Sequence, residues 1–174
     1  TLPGNVALAV NETIDYVTIE KKDEGTGPAV RFIVAKDRLK NIFGEEGYEI
    51  VDEYKGAKLV GKSYKPLFDY YAKDESLKYR ENGWKIYHAD FVTTDMGTGI
   101  AHEAPAFGED DMQLGKANNL PWVQHVNMDG TMKPEVTDFA GRQVKPTENP
   151  QEMDVDIIKY LAKQGTLFAK EKYE

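Results

Sequence analysis

Gly97-Thr98-Gly99-Ile100-Ala101-His102-Glu103-Ala104-Pro105-Ala106-Phe107-Gly108-Glu109-Asp110-Asp111 is the stretch of this chain that says most about its fold and its chemistry. The two glycines that flank Thr98 let the backbone bend sharply or approach another group closely. Pro105 ends the short segment that carries His102, and the acidic residues that follow are typical of the first turn of a helix. We therefore expect a bend, a strand with His102 and a helix from Gly108, with a functional pocket beside them.

Short strand signals dominate the rest of the chain. Apolar or alternating runs predict strands over residues 6–10, 14–20, 29–35, 48–54, 58–60, 84–93, 122–126 and 166–169. Capping and periodicity signals predict helices over residues 37–43, 108–119 and 150–164, and residues 64–83 are predicted to be a surface excursion. Many short strands with few helices indicate an α+β, mostly β domain with a β-barrel-like core and flanking helices.

The composition is typical of one ordered domain. The 174 residues are enough to bury a core, and 40% of them are hydrophobic and 30% charged. No apolar run approaches the roughly 20 residues that cross a bilayer. The absence of cysteine excludes disulfides and thiolate metal sites, and it fits a reducing, cytoplasmic location.

The net charge of −8 bears on possible partners. An acidic domain repels nucleic acid at long range, so we expect no autonomous grip on a duplex. A single-stranded end delivered by a larger protein remains a possible ligand. Because the chain opens with Thr1-Leu2-Pro3 and has no initiator methionine, we expect it to be a fragment of a longer polypeptide.

His102 has two interpretations from the residues alone. A histidine on a strand is often a packed, hydrogen-bonded core residue. The polar residues around His102 equally favour a functional imidazole, which can donate to a substrate oxygen, form a pocket wall or act as a general base.

Asp110 and Asp111 also have two interpretations. Acidic residues at a helix start cap the helix and complement its dipole. Adjacent residues on a helix point in different directions, so one carboxylate can cap while the other binds a cation such as a substrate ammonium. A metal-dependent hydrolase that uses His102 with both carboxylates is a weaker alternative, because no metal-binding histidine spacing is present, and we predict no metal. His88 and His125 are expected to be structural.

Two segments resemble signatures of one known family. Thr1-Leu2-Pro3-Gly4-Asn5 resembles the end of the motif Thr-Thr-x-Pro-Trp-Thr-Leu-Pro-x-Asn, and residues 97–111 resemble the second signature of the same module. Together they resemble the editing insertion, connective peptide 1 (CP1), of class I isoleucyl-tRNA synthetases. The motifs bracket nearly the whole chain, so residues 1–174 are expected to be a single editing domain excised from a larger synthetase. The corresponding valyl or leucyl domain and a non-catalytic module that binds a tRNA end are the alternatives.

This resemblance implies post-transfer editing, with a β-barrel-like core. The parent enzyme joins isoleucine to tRNA(Ile) and cannot fully exclude valine, because one methylene is worth only roughly 1–3 kcal/mol in an apolar pocket, a limit for which this amino-acid pair is the standard example. A second site then hydrolyses the ester of mischarged Val-tRNA(Ile). The family needs no cofactor in this domain, and ATP belongs to the synthetic domain of the parent enzyme.

The resemblance also implies roles for individual residues. Asp111 matches the carboxylate that binds the α-ammonium of the aminoacyl group. His102 lies beside the substrate side chain and the terminal ribose, where it excludes the extra methylene of isoleucine and helps to orient water. Thr1 and Asn5 hydrogen-bond the substrate and the terminal adenosine. The backbone of three further residues approaches that adenosine, namely Gly97, Thr98 and Gly99.

Partners follow from the same resemblance. They are the acceptor end of tRNA(Ile) carrying valine and the remainder of the parent synthetase, in a monomeric cytoplasmic enzyme. The chain begins inside the first motif, so the upstream threonines that position water and substrate in the family are outside it. We therefore expect the isolated domain to be weakly active.

Overall fold

The structure is a computed structural model that describes residues 1–22 and 27–171. The chain is α+β, as predicted, with six strands in two three-stranded sheets and three α-helices among the described residues. The strands are β1 (Ala7–Val10), β2 (Asp15–Lys21), β3 (Val30–Ala35), β4 (Glu49–Lys55), β5 (Lys85–His88) and β6 (Ala101–Glu103). The helices are α1 (Leu39–Phe43), α2 (Glu109–Asn118) and α3 (Glu152–Lys163), and 3₁₀ turns occupy Leu2–Gly4, Lys36–Arg38, Gly56–Lys58 and Arg80–Asn82.

The first sheet has the order β5-β1-β6, and it carries the predicted functional residues. Its central strand β1 pairs parallel with β5 and antiparallel with β6. In this register Leu8 lies opposite His102, and Ala7 lies opposite Glu103. Successive side chains of a strand point to opposite faces, so His102 and Glu103 face opposite sides of this sheet.

The second sheet has the order β3-β2-β4, with both pairings antiparallel. Its central strand β2 buries Tyr16, Val17 and Ile19 completely. Residues 23–26, in the predicted loop between β2 and β3, lie outside the described part of the chain.

The bend at residues 97–99 connects the two sheets. The Ala35 amide donates to the carbonyl of Thr98 at 2.8 Å, and the Tyr16 hydroxyl donates to the carbonyl of Gly99 at 2.6 Å. Gly99 has a φ of +79°, and a Cβ there would lie 2.4 Å from the Cβ of Ala35. Only glycine fits such a close approach at a positive φ.

The third helix covers a separate apolar core. Met153, Ile157 and Leu161 recur every fourth residue and are buried on one face of α3. The buried residues that they meet are Phe68, Met132, Val136 and Phe139. The predicted surface excursion over residues 64–83 is therefore partly wrong, because Phe68 belongs to this core.

Other predictions differ from the structure in specific places. Residues 58–60, 122–126 and 166–169 form none of the strands named above. Short apolar runs do not distinguish a strand from a buried turn, and Leu59 is buried directly after the 3₁₀ turn Gly56–Lys58. The ladders of the described residues leave two separate sheets and no closed barrel, because the sheets are joined by the packed bend rather than by a shared strand. No helix in the described part of the chain has the length and apolar character needed to cross a membrane.

Candidate functional site

A cavity of about 330 Å³ opens beside the first sheet. We call it the His102 cavity, and its lining residues are Leu2, Asn5, Leu8, Tyr64, Lys65, Leu67 and His102. The register of β1 and β6 explains part of this set, since it places Leu8 beside His102. Three leucines give the cavity apolar walls, and polar groups occur at a few fixed points, as is typical of small-ligand sites.

Asn5 organises the polar groups of this cavity. Its Nδ2 donates to the Ala7 carbonyl at 2.8 Å and lies 2.8 Å from His102 Nδ1, while its Oδ1 accepts a hydrogen bond from the Tyr64 hydroxyl. Its backbone carbonyl accepts from the buried Trp84 indole at 3.1 Å. Every polar atom of the Asn5 side chain is therefore used, which fixes which end of the amide is the donor.

The contact from Asn5 determines the tautomer of His102. Because Asn5 Nδ2 donates, His102 Nδ1 is the acceptor and the ring proton lies on Nε2. The His102 Nε2–H then donates to Thr1 Oγ1 at 3.1 Å. Both ring nitrogens are engaged, so this imidazole is placed as a hydrogen-bond donor, and the general-base interpretation has no free nitrogen here.

Electrostatics favour the same neutral form. Burial, followed by the positive amino group of Thr1, lowers the pKa of His102 to about 4, although the charge of Asp111 acts in the opposite direction. Burial is the largest cause, so the direction does not depend on the amino group. At neutral pH the cavity therefore presents an uncharged N–H.

Asp111 is not one of the residues that line the cavity, although its charge acts on His102. Its Oδ2 accepts a hydrogen bond from the Ala104 amide at 2.7 Å. A Cβ at Gly108 would lie 2.8 Å from Asp111 Oδ1, so the carboxylate is closely packed on that side. Asp110 is exposed. Asp110 and Asp111 thus point in different directions, as helix geometry predicts, and only Asp111 is turned towards β6.

Glu103 is a buried acid that no motif or spacing distinguished. It is 1% exposed, and among the described residues its Oε2 has no hydrogen-bond partner. Burial, followed by the negative charge of Asp111 and a hydrogen bond to it, raises the pKa of Glu103 to about 8. The available sequence signal was an acid on a strand with apolar residues, Ala101 and Pro105, two positions away on either side.

His125 supports the other side of the N-terminal motif. It is 1% exposed, its ring centroid lies 4.7 Å from that of Phe107, and burial lowers its pKa to about 4. A Cβ at Gly4 would lie 2.6 Å from His125 Nδ1. The buried histidine therefore packs directly beneath the turn that carries Thr1 and Asn5, in agreement with its expected structural role.

The structure brings some of the predicted site residues together and separates others. Thr1, Asn5 and His102 form one hydrogen-bonded group, and Asp111 lies next to it. The bend at residues 97–99 does not line the His102 cavity, and its Thr98 and Gly99 carbonyls are occupied by the second sheet. The contact between its backbone amides and an adenosine stays a prediction. Among residues 1–22 and 27–171, no three carboxylate or histidine side chains come together as a metal site would require.

Comparisons with known proteins identify relatives along the whole chain. The chain is 41% identical over 174 residues to an isoleucine–tRNA ligase of Bacillus thuringiensis (strain Al Hakam), and 40% identical over 173 residues to that of Bdellovibrio bacteriovorus. It spans 15% of the length of each of these curated relatives. No protein-family model matches the chain.

A solved structure shares the fold. The crystal structure of GlLeuRS-CP1 matches with a TM-score of 0.68 at 13% sequence identity, and the match covers 99% of this chain and 80% of that one. At this level of identity the likeness shows the fold alone, which is that of a LeuRS CP1 domain.

Proposed function

We propose that this chain, which is homologous along its whole length to one segment of isoleucine–tRNA ligases and has a CP1 fold, hydrolyses the ester bond of mischarged Val-tRNA(Ile). The observation that carries the proposal is the His102 cavity. It combines leucine walls with one neutral N–H donor and a hydroxyl at Thr1. Such a site suits a small aliphatic group attached to a polar ester.

The walls of the cavity support selection by size. Leu2, Leu8 and Leu67 offer apolar surface for the isopropyl group of valine. The ring of His102 is held from both of its nitrogens and cannot easily turn aside. A rigid wall rejects the longer side chain of isoleucine, since an overpacked site costs roughly 1–3 kcal/mol.

Asp111 supplies the charge that an aminoacyl ester needs. Its carboxylate is already fixed by the Ala104 amide and can pair with the α-ammonium through a charge-assisted hydrogen bond. Little side-chain entropy is lost when a preorganised group binds. The amino acid is thus held at its positive end, while its side chain enters the cavity.

The chemistry in this proposal is addition of water to the ester carbonyl. The His102 Nε2–H exchanges its bond to Thr1 Oγ1 for one to a substrate oxygen, and it stabilises negative charge there in the manner of an oxyanion-hole donor. Thr1 Oγ1 and the free hydroxyl of the terminal ribose orient the water, because neither ring nitrogen of His102 accepts a proton. The carbon–oxygen ester bond breaks, the water proton passes to the ribose oxygen, and valine and uncharged tRNA are released.

The partners and the location of the protein are part of the same proposal. The partners are the acceptor end of tRNA(Ile) and the rest of a monomeric, cytoplasmic synthetase, which uses ATP at its own ligation site. The rim residue Lys65, exposed beside the His102 cavity, can meet a phosphate near the tRNA end.

The test uses the full-length parent synthetase with Asp111→Asn and a matched control, Asp110→Asn. We expect the Asp111 variant to lose at least tenfold in kcat/KM for Val-tRNA(Ile), while the exposed control retains its rate. His102→Ala removes both a wall and the N–H donor, so it should slow hydrolysis of Val-tRNA(Ile) and raise the ratio of Ile-tRNA(Ile) to Val-tRNA(Ile) hydrolysis. Equal rates for the Asp111 variant and the parent enzyme would overturn the proposal.

A non-catalytic module that binds the tRNA end is favoured by one observation, the lack of a free base on His102. Titration with a non-hydrolysable valyl-adenosine analogue separates the two functions. Binding that weakens when the amino group of the analogue is removed supports the editing site. Binding that is indifferent to the amino group supports the docking module.

A further inference from the structure

Glu103 is the unexplained group nearest to the site. Glu103 is 1% exposed, and its Oε2 has no partner among the described residues. An unpaired buried carboxylate costs several kcal/mol, so such a group normally has a reason to be retained.

The groups that face Glu103 are mostly negative. Asp111 and, at longer range, Asp110 face it from the first turn of α2, and the buried phenol of Tyr64 senses its charge. Two carboxylates in contact within a protein interior cannot both ionise at neutral pH. Burial, followed by the charge of Asp111, raises the pKa of Glu103 to about 8, so Glu103 carries the proton.

We propose that Glu103 is a positioning residue, which as a neutral acid donates a hydrogen bond to the Asp111 carboxylate and, together with the Ala104 amide, holds it in place. This inference rests on the proposed function, because the α-ammonium of the substrate is what Asp111 is held to meet. The two donors occupy two of the roughly four lone-pair directions of the Asp111 carboxylate, and the substrate ammonium takes one of the others. Glu103 itself touches no substrate atom.

Ionisation of Glu103 provides the distinctive signature. Above a pH of about 8 Glu103 loses its proton. It can then no longer donate to Asp111, and its negative charge repels the Asp111 carboxylate. Deacylation should therefore decline on the alkaline side through the loss of Asp111 geometry. The α-ammonium of the substrate also loses its proton near this pH, so the signature is the part of the decline that is absent when Glu103 cannot ionise.

The test measures kcat and KM for Val-tRNA(Ile) in the full-length parent synthetase from about pH 6 to about pH 9, after subtraction of spontaneous ester hydrolysis. Glu103→Gln keeps a neutral donor, so we expect activity within about threefold at pH 7 and a shallower alkaline decline than in the parent enzyme. Glu103→Ala removes the donor, and we expect at least a tenfold loss of kcat/KM. The control Glu109→Gln changes an exposed acid of the same helix turn and should retain the alkaline decline.

Stability provides a readout that does not depend on activity. The folded pKa of Glu103 lies above the ordinary value of 4.5, so the folded state binds the extra proton and loses stability as pH rises from about 4.5 to about 8. Glu103→Gln should flatten this part of the stability profile even if Glu103→Ala does not fold.

Two outcomes distinguish a failure of the proposed role of Glu103 from a failure of the proposed function. If deacylation by Glu103→Gln declines as steeply above about pH 8 as in the parent enzyme, while Asp111→Asn still abolishes deacylation, the role of Glu103 is overturned and the proposed function survives. If Asp111→Asn has no effect, the proposed function itself fails, whatever Glu103 does.

Discussion

Asn5 Nδ2 lies 2.8 Å from His102 Nδ1, across 97 residues of sequence. The contact joins the N-terminal motif to the second motif, and it makes His102 a donor through Nε2. Because Asn5 is itself fixed by Ala7, Tyr64 and Trp84, the tautomer of the imidazole is built into the fold of the first sheet.

Asn5→Asp should therefore impair the site without removing any side-chain volume. A carboxylate cannot donate to His102 Nδ1, and its charge favours the protonated imidazole, which raises the pKa of His102 towards its ordinary value. Loss of a buried hydrogen bond of about 1–3 kcal/mol corresponds to a roughly tenfold to hundredfold lower kcat/KM for Val-tRNA(Ile) in the parent synthetase.

Nitrogen NMR of the His102 ring provides the direct measurement. We expect the neutral Nε2–H form in the parent sequence and a doubly protonated ring in Asn5→Asp at about pH 6. The control Asn127→Asp alters an exposed amide that bonds Thr131, and it should change neither rate nor ring state. A neutral ring in the Asn5 variant would show that Asn5 does not set the tautomer.

Gly99→Ala should destabilise the fold more than Gly97→Ala. Both residues have positive φ, which costs an alanine about 1 kcal/mol. A Cβ at Gly99 also meets Ala35 at 2.4 Å, whereas a Cβ at Gly97 has no atom within 4 Å. We expect Tm to fall by roughly 6–12 °C for Gly99→Ala and by roughly 2–4 °C for Gly97→Ala.

Thermal unfolding of the 174-residue chain checks the comparison. Equal losses of Tm in the two variants would mean that the close approach to Ala35 does not matter. A variant that keeps its Tm but loses affinity for adenosine would instead favour the ligand-binding role expected for this bend.

Gly4→Ala should displace the N-terminal motif. The new methyl group would lie 2.6 Å from His125 Nδ1 and 3.3 Å from the Phe107 ring, and buried rings have little room to move. The turn that carries Thr1 and Asn5 is therefore expected to shift, with about a tenfold or greater loss of deacylation in the parent synthetase.

A second substitution distinguishes this steric cause from other causes. His125→Ala removes the obstructing ring, so the double variant should recover part of the activity lost in Gly4→Ala. If the two losses simply add, the contact between Gly4 and His125 is not the reason for the defect.

Acid should destabilise the chain between about pH 6.5 and about pH 4. Burial lowers the folded pKa of His102 and of His125 to about 4 from an ordinary value of 6.5, so the unfolded state binds more protons in this window. The stability that the two neutral histidines contribute is fully present above about pH 6.5. It decreases as the pH is lowered towards about 4, by at most about 1.4 kcal/mol per pH unit for each proton.

Denaturant unfolding across this pH window provides the measurement. Glu103 acts in the opposite direction, so the Glu103→Gln background isolates the histidines. Replacing both histidines with glutamine in that background should reduce the slope. An unchanged slope would locate the acid sensitivity in other groups.

The local elements were largely predictable. Apolar or alternating runs anticipated five of the six strands, the residues around His102 anticipated β6, and the acidic turn after Gly108 anticipated α2. The approach of α2 to β6 was not predictable, and neither was the burial of Glu103 beside Asp111. Both depend on the Ala7–Glu103 register and on a packed helix, which no single run of residues encodes.

The sequence by itself determined the α+β class, the Gly-Thr-Gly bend and the kinship with the editing segment, because backbone freedom, periodicity and motif spacing are local properties. The tertiary structure alone decided that Asn5 fixes the tautomer of His102, that the bend docks on Ala35, and that Asp111 stands beside a buried acid. Those facts depend on desolvation and on distances between residues far apart in the chain. The burial of these groups and the short distances between them arise only when the sheets have assembled.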